Sequence, residues 1–421
     1  MTSSVPPLSE LTTIRVGGVP EQLVAPATTA ELVETAITVW RTGDEWLLLG
    51  GGSNTVASDD GFDGTVIRLV TRGIEELPTS GQTPDGRTIH LKVAAGERWD
   101  DLVAHTVAHG WAGIEALSGI PGCAGAAPVQ NIGAYGQELS SSLVAIHFLD
   151  QDTDQVTRIP ASDLELGYRT SRLKQKLQIG IVLAIELQLF EGEGSASGRS
   201  MPVAYGQLAT ALGVSLGDRV ELVEVRRAVL ELRASKGMVL DAADPDSVSA
   251  GSFFTNPIVS ENFARGLPAG CPRWPLVADA QDTITPLHGA DDDADARGPA
   301  GEETAGGAGG RAAGHGVSHD HASEITGAMA KSSGSSAGAD AREGAVKLSA
   351  AWLIENAGIA RGFALPGSRA AISSKHTLAL TNRGGATAAE VAELARFVQG
   401  RVLAEFGVLL QPEPVLVGVS L

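Results

Sequence analysis

The glycine run Gly50-Gly51-Gly52-Ser53-Asn54 constrains this chain most, because of what stands on either side of it. Trp46 to Leu49 has the pattern of a short buried strand and runs straight into the glycines, and Thr65 to Leu69 reads as the next strand after a turn at Asp63-Gly64. Strand, glycine loop, strand exposes bare backbone where a phosphate can approach and successive N–H groups can point at it. Ser53 and Asn54 add side-chain donors. The loop lacks the Gly-Lys-Ser/Thr of a P-loop and the G-x-G-x-x-G of a dinucleotide fold, so alone it reads equally as a tight structural turn or a phosphate cradle.

A second loop, Ser118 to Gly136, joins Ser118-Gly119-Ile120-Pro121-Gly122 to Gly125, Asn131, Gly133 and Tyr135. Its small residues and few charges leave room for something flat and large. One loop for a pyrophosphate and one for a ring system suit a flavin dinucleotide better than a mononucleotide.

Around these loops the pattern alternates short strands and helices. Thr28 to Glu31 is a capping box before the apolar positions Leu32, Val33, Ala36, Ile37 and Trp40, and Gly43 ends that helix. His90 to Ala95 is strand-like, Trp99 to His109 helix-like, and Ile181 to Phe190 a strongly apolar strand followed by a Gly/Ser connection over 192–200. Val220 to Ala234 has apolar residues at helical spacing. Between about Asp279 and Glu343 the composition collapses into Asp, Ala, Gly, Ser and His, too few apolar groups to offset ordering entropy, so a disordered insertion is expected there. Order resumes over Lys347 to Ile359. Thr387 to Glu390 is a second capping box, opening a helix to Phe406 stopped by Gly407, and Val408 to Val419 reads as a last strand interrupted at Gln411-Pro412-Glu413-Pro414.

At 421 residues with 43% hydrophobic content, the chain can bury two or three cores. A net charge of -19 disfavours nucleic acid and anionic membranes as partners. Cys123 and Cys271 lie far apart, giving neither a disulfide framework nor a zinc cluster, so a reducing cytoplasm is expected. Met1 to Glu10 lacks a signal-peptide pattern, and no apolar run approaches the roughly 18 residues of a membrane span. His315, His319 and His321 sit among helix-poor residues, and Gly334 to Gly338 formally matches a nucleophile elbow without its strand and helix; neither is read as a site, and no metal is expected.

The strings GGGSN, SGIPG, PVQNIGAYGQE, YRTSRLK, RASKGMVLD, AGSFFTNP and WLIENAG, with a terminal Q-P-E-P-V, resemble the MurB family of UDP-N-acetylenolpyruvoylglucosamine reductases over nearly the whole chain, the insertion apart. The resemblance implies an α+β fold: a two-part FAD-binding domain of the vanillyl-alcohol oxidase type plus a C-terminal α/β substrate-binding domain. Residues 1–75 and 76–215 would be the two FAD-binding parts, and 216–421, interrupted at about 279–343, the substrate part. It implies non-covalent FAD, NADPH as hydride donor, and a monomer acting on UDP-N-acetylglucosamine enolpyruvate in peptidoglycan precursor synthesis. A flavin oxidase of the same fold, or an inactive flavin- or nucleotide-binding protein, are the alternatives.

By the same resemblance Arg169, Ser252 and Glu413 are the catalytic set. Hydride addition builds charge beside the substrate carboxylate, which Arg169 can meet with a fixed fork of donors. Glu413, held between two prolines, pairs with it, and Ser252 supplies the final proton. Gly50 to Asn54, Ser118, Gly119, Pro121, Gly122, Gly125, Asn131 and Gly133 would hold the cofactor. Tyr135, Tyr205, Lys236 and Asn256 would meet substrate, with Glu355 or Asn356 nearby. Tyr205 reads alternatively as a half-buried tyrosine keeping its hydroxyl in water.

Overall fold

The computed structural model describes residues 5–78, 82–83, 86–191, 198–276 and 344–421. The expected insertion, with its histidines and its Gly334–Gly338 match, lies outside the described residues.

The first capping box forms as read. Thr28 Oγ1 accepts from the Glu31 N–H at 3.2 Å, the Glu31 carboxylate returns to the Thr28 N–H at 3.1 Å, and the helix Thr29–Thr42 ends at Gly43 with φ 79°. Leu32, Ala36 and Val39 on its buried face pack between two sheets, against Ile67 and Leu69 on one side and Leu149, Ile181 and Leu183 on the other. The first sheet is parallel, in the order Pro20–Val24, Phe62–Arg68, Trp46–Leu49. The second is antiparallel and centred on Gly180–Glu191, which pairs with Leu143–Asp150 on one edge and Gly86–Ala94 on the other. Period-two alternation puts Ile89, Leu91, Val93, Ile146, Phe148, Ile185 and Leu187 in a common core with Trp99, Leu102 and Val103 of the helix Trp99–Ala108.

C-terminal to Leu222–Ala234 come short antiparallel sheets. Ser249–Ser252 pairs with Ala379–Asn382, and Ile258–Ser260 with Ala345–Leu348. The helices Ala350–Asn356 and Ala388–Phe406 bury Leu353, Ile354, Val391, Leu394 and Val398 against them, and Ile14, Val16 and Val56 from the chain's beginning join the same core. The closing strand binds the two ends covalently distant in sequence: Val415–Val417 runs parallel to Thr55–Ala57. Among the described residues no helix is long and apolar enough to cross a membrane.

Two expectations need correction. The last strand is only Val415–Val417, because Pro412 and Pro414 have no N–H to give a ladder. The stretch Ser118 to Gly136 is not a plain loop: it holds a 3-10 helix over Ala124–Gln130 and a small strand pair, Gly133–Ala134 with Gln137–Glu138. The N–H groups of Ala124 and Gly125 donate to the carbonyls of Glu97 and Ala95 at 2.9 and 2.8 Å, which gives this segment a fixed backbone.

Candidate active site

The two glycine loops meet backbone to backbone. A Cβ on Gly51 would lie 2.7 Å from the Gly122 Cα, and one on Gly50 2.5 Å from the Cys123 sulfur, so any side chain there would force the loops apart. Ser53 Oγ donates to the Pro121 carbonyl at 2.9 Å and ties them together. Asn54 Nδ2 reaches further, donating to Gln130 Oε1 at 3.0 Å and to the Glu413 carbonyl at 3.2 Å.

Above this junction lies a cavity of about 450 Å³, within the range of roughly 300–1,000 Å³ typical of ligand sites. Gly50 to Asn54, Pro121, Gly122, Gly125, Gly133, Tyr135, Arg169, Tyr205, Lys236, Ser252, Asn256 and Glu413 all line it. Ser118, Gly119 and Asn131 do not. Ser118 Oγ turns to the Glu115 carbonyl at 2.7 Å, and the Gly119 N–H donates to Asp100 Oδ1 at 2.6 Å. Asn131 is 1% exposed, donates to Glu138 and the Gly167 carbonyl, and accepts from the Ser140 N–H. These three shape the loop from behind. Glu355 is likewise off the cavity wall, engaged by the Thr377 hydroxyl and by Arg361 at 3.5 Å.

Arg169 sits in left-handed backbone, φ 52°, a conformation costly for a long side chain and paid back here by its anchors. Its Nη2 donates to the Gly133 carbonyl at 2.7 Å and its Nη1 to that of Asn131 at 3.4 Å, while Nε faces Glu413 Oε1 at 3.3 Å. The guanidinium also lies over the Tyr168 ring, 5.4 Å from its centroid. Glu413 is 12% exposed. Burial raises its carboxyl above the ordinary range, and Arg169 and Lys174 pull it part of the way back.

Ser252 is brought beside this pair by main-chain bonds. The Glu413 N–H donates to the Phe253 carbonyl at 2.9 Å, and the Thr255 N–H to that of Gln411 at 3.0 Å. Phe253 and Phe254, each 1% exposed and packed edge to face at 5.1 Å, anchor that strand end in the C-terminal core. Asn256 Oδ1 accepts from the Ala350 N–H at 3.0 Å.

On the far side Tyr135 and Tyr205 meet edge to face at 5.6 Å, both buried, and Lys236 Nζ lies 5.5 Å from the Tyr135 ring centroid while donating to Gln207 Oε1 at 2.9 Å. Burial holds the Lys236 ammonium below its usual range, with the Arg233 charge adding to the effect. Both tyrosine hydroxyls are pushed up by burial, so they stay protonated donors at neutral pH.

Sequence reasoning passed over three further basic lining residues: Lys174, Arg233 and His376. Arg233 is 8% exposed; its Nη2 donates to the Met238 carbonyl at 2.9 Å, but its buried Nε has no partner among the described residues. Lys174 and Arg233 fall inside YRTSRLK and RASKGM, strings that already marked the neighbourhood. His376 has no such local signal.

Residues 20–158 match the model of an FAD binding domain, and residues 244–417 match UDP-N-acetylenolpyruvoylglucosamine reductase, C-terminal domain. The UDP-N-acetylenolpyruvoylglucosamine reductase of Leifsonia xyli subsp. xyli is 57% identical over 419 residues, 99% of each chain. That of Saccharopolyspora erythraea is 42% identical over 414 residues, 98% of this chain and 95% of the relative. The crystal structure of UDP-N-acetylenolpyruvylglucosamine reductase (MurB) from Thermus caldophilus is similar in fold, with a TM-score of 0.53 at 23% identity, over 98% of this chain and 97% of that one. Matched over almost its whole length at such identity, the chain belongs to the UDP-N-acetylenolpyruvoylglucosamine reductase family.

Proposed function

We propose that this chain is an FAD-dependent oxidoreductase that reduces UDP-N-acetylglucosamine enolpyruvate to UDP-N-acetylmuramate with NADPH, a step of peptidoglycan precursor synthesis. The observation that carries the reading is the meeting of Arg169, Glu413 and Ser252 on the wall of one cavity whose floor is the glycine junction. Residues 1–75 and 76–215 are the two flavin-holding parts and 216–421 the substrate part, with the enzyme acting as a cytoplasmic monomer.

The residues present fit a flavin dinucleotide. Gly50, Gly51 and Gly122 let two bare backbone loops pack side by side on the cavity wall where any Cβ would clash, and Ser53 and Asn54 hold them there through their bonds to Pro121, Gln130 and Glu413. FAD held there would supply the hydride chemistry that links NADPH to the substrate's methylene carbon.

The protein's share is charge, position and a proton. Arg169, fixed by two carbonyls, holds the enolpyruvyl carboxylate and stabilises the negative charge that grows next to it. Glu413 keeps the guanidinium oriented and, with its raised pKa, is suited to share a proton with the carboxylate region. Ser252 gives its hydroxyl proton to the carbon bearing the carboxylate, and nearby cations stabilise the alkoxide left behind. Lys236 and Tyr205 meet the diphosphate, and Asn256 and Tyr135 the sugar side of the substrate.

The test is to incubate the flavin-loaded protein with NADPH and the enolpyruvyl UDP-sugar and weigh the product. The reading requires NADPH consumption matched by a product heavier than the substrate by one hydride and one proton. A colourless protein that cannot be reconstituted with FAD would overturn it.

A further inference from the structure

Glu115 is 1% exposed, lies behind the cavity wall, and has no cation paired with it among the described residues. A carboxylate buried in this way is costly unless hydrogen bonds satisfy it. Here Oε2 accepts the Gly113 N–H at 2.6 Å and Oε1 the Met201 N–H at 2.7 Å, while the Glu115 carbonyl accepts the Ser118 hydroxyl at 2.7 Å. The Gln137 side chain braces the same turn. Its Oε1 accepts the Ala116 N–H at 2.7 Å, and its amide stabilises the Glu115 charge.

The segments tied by these bonds carry the two tyrosines of the cavity wall. Gln137 stands two residues past Tyr135, and Met201 four residues ahead of Tyr205. The segments pack directly on each other: a Cβ on Gly136 would lie 3.1 Å from the Ala204 Cβ and 3.4 Å from that of Tyr205, and the two rings meet at 5.6 Å. Ala116 is buried with Tyr135, Val203 and Tyr205 in one apolar cluster. Tyr135 has φ 49°, a backbone state that persists only where its surroundings fix it. The N–H groups of Ser200 and Val203 donate to the carbonyls of Val220 and Asp218, which holds the Tyr205 segment from its far side. The Glu115 carboxylate fixes its near side, with a charge-assisted bond across 86 residues of sequence.

Resting on the reductase reading above, we infer that Glu115 is a positioning residue: its carboxylate sets the spacing of Tyr135 and Tyr205, and through them the affinity for the nucleotide-sugar substrate. The chemical step is spared. Arg169 keeps its own bonds to Asn131 and Gly133, and Ser252 and Glu413 keep theirs to the strand end at Phe253, none of which passes through the Glu115 side chain.

The test is steady-state kinetics with the enolpyruvyl UDP-sugar, and titration with UDP, on the flavin-loaded enzyme. Glu115→Gln keeps the shape of the side chain, but its amide can accept only one of the two N–H groups. KM for the sugar and Kd for UDP therefore rise by about tenfold or more, while kcat stays within about threefold of wild type. Because the effect passes through the tyrosines, adding Glu115→Gln to Tyr205→Ala raises KM by less than about twofold further. Glu186→Gln, which loses ion pairs outside the cavity wall, serves as the stability control and keeps the wild-type KM. A wild-type KM in Glu115→Gln, a fall in kcat with KM unchanged, or full additivity with Tyr205→Ala would each overturn the assignment. Should Glu115→Gln fail to fold, Gln137→Ala decides: a KM raised by about threefold or more, and absorbed by Tyr205→Ala, supports the assignment, and a wild-type KM overturns it. A wild-type protein that turns over no enolpyruvyl UDP-sugar overturns the reductase reading itself, a result distinct from any change between wild type and variant.

Discussion

Arg169 Nε and Glu413 Oε1 stand 3.3 Å apart, and each is held from its other side: Arg169 by the carbonyls of Asn131 and Gly133, Glu413 by its main-chain bonds to Phe253 and Asn54. The pair thus joins the second glycine loop, the first glycine loop and the Ser252 strand. A cation so placed needs no reorganisation when charge appears beside it.

Replacing Arg169 therefore removes preorganised charge, not bulk. Arg169→Ala is expected to lower kcat by about 10²–10³-fold, the usual loss for one such donor. Arg169→Lys should recover little, because an ammonium cannot keep both carbonyl bonds and the contact to Glu413. Steady-state kinetics with equal flavin occupancy checks this; a lysine variant near wild-type rate would contradict it.

Ser252 acts only after the hydride step in this account. Ser252→Ala should leave reduction of the bound flavin by NADPH close to wild type and slow its reoxidation by the enolpyruvyl UDP-sugar by about 10²–10⁴-fold. Stopped-flow traces of the two half-reactions separate these effects. Equal slowing of both would remove the proton-donor role.

Two glycines make a contrasting pair. At Gly51 an added Cβ meets backbone at 2.7 Å, so Gly51→Ala should spread the loops and empty the protein of flavin. At Gly400, exposed within the helix Ala388–Phe406, nothing lies within 4 Å, so Gly400→Ala should stabilise the fold by about 0.5–1 kcal/mol with flavin retained. Flavin absorbance and Tm of the two variants test both statements.

Away from the site, Glu186 collects three partners on the sheet: Arg158 at 2.7 Å, His147 at 2.8 Å and His90 at 3.2 Å. The Arg158 hydrogen bonds, with help from His147, overcome burial and lower its carboxyl to about 2. A depressed acid adds stability above its unfolded pKa and loses it as pH falls through the folded value. Glu186→Gln should therefore lower Tm at neutral pH, with the gap to wild type closing between pH of about 4.5 and about 2. A gap that stays constant over that range would contradict the ionic origin.

What could be read from residues alone was what neighbours in sequence decide. Both capping boxes and their αL glycine stops need only residues three or a few positions apart, and both formed: Thr28 with Glu31 ahead of Gly43, Thr387 with Glu390 ahead of Gly407. The same local logic overran at Val408 to Val419, where apolar residues on both sides of two prolines imitate a strand whose donors are missing. The site was legible through long motif strings, yet strings do not say which member turns inward. Ser118, Gly119 and Asn131 do not line the cavity: the Glu115 carbonyl and Glu138, both close in sequence, claim the polar groups of Ser118 and Asn131, and Asp100, from the helix Trp99–Ala108, claims the Gly119 N–H. His376 becomes visible only when folding puts it on the wall of the cavity that Lys236 and Arg233 also line.

The most direct measurement is an anaerobic cycle followed through the visible spectrum of the bound flavin. NADPH should bleach it, and only the enolpyruvyl UDP-sugar should restore it while oxygen is excluded. A flavin that NADPH bleaches but that substrate leaves reduced, returning to colour on admission of air alone, would contradict the reductase account and favour an oxidase of the same fold.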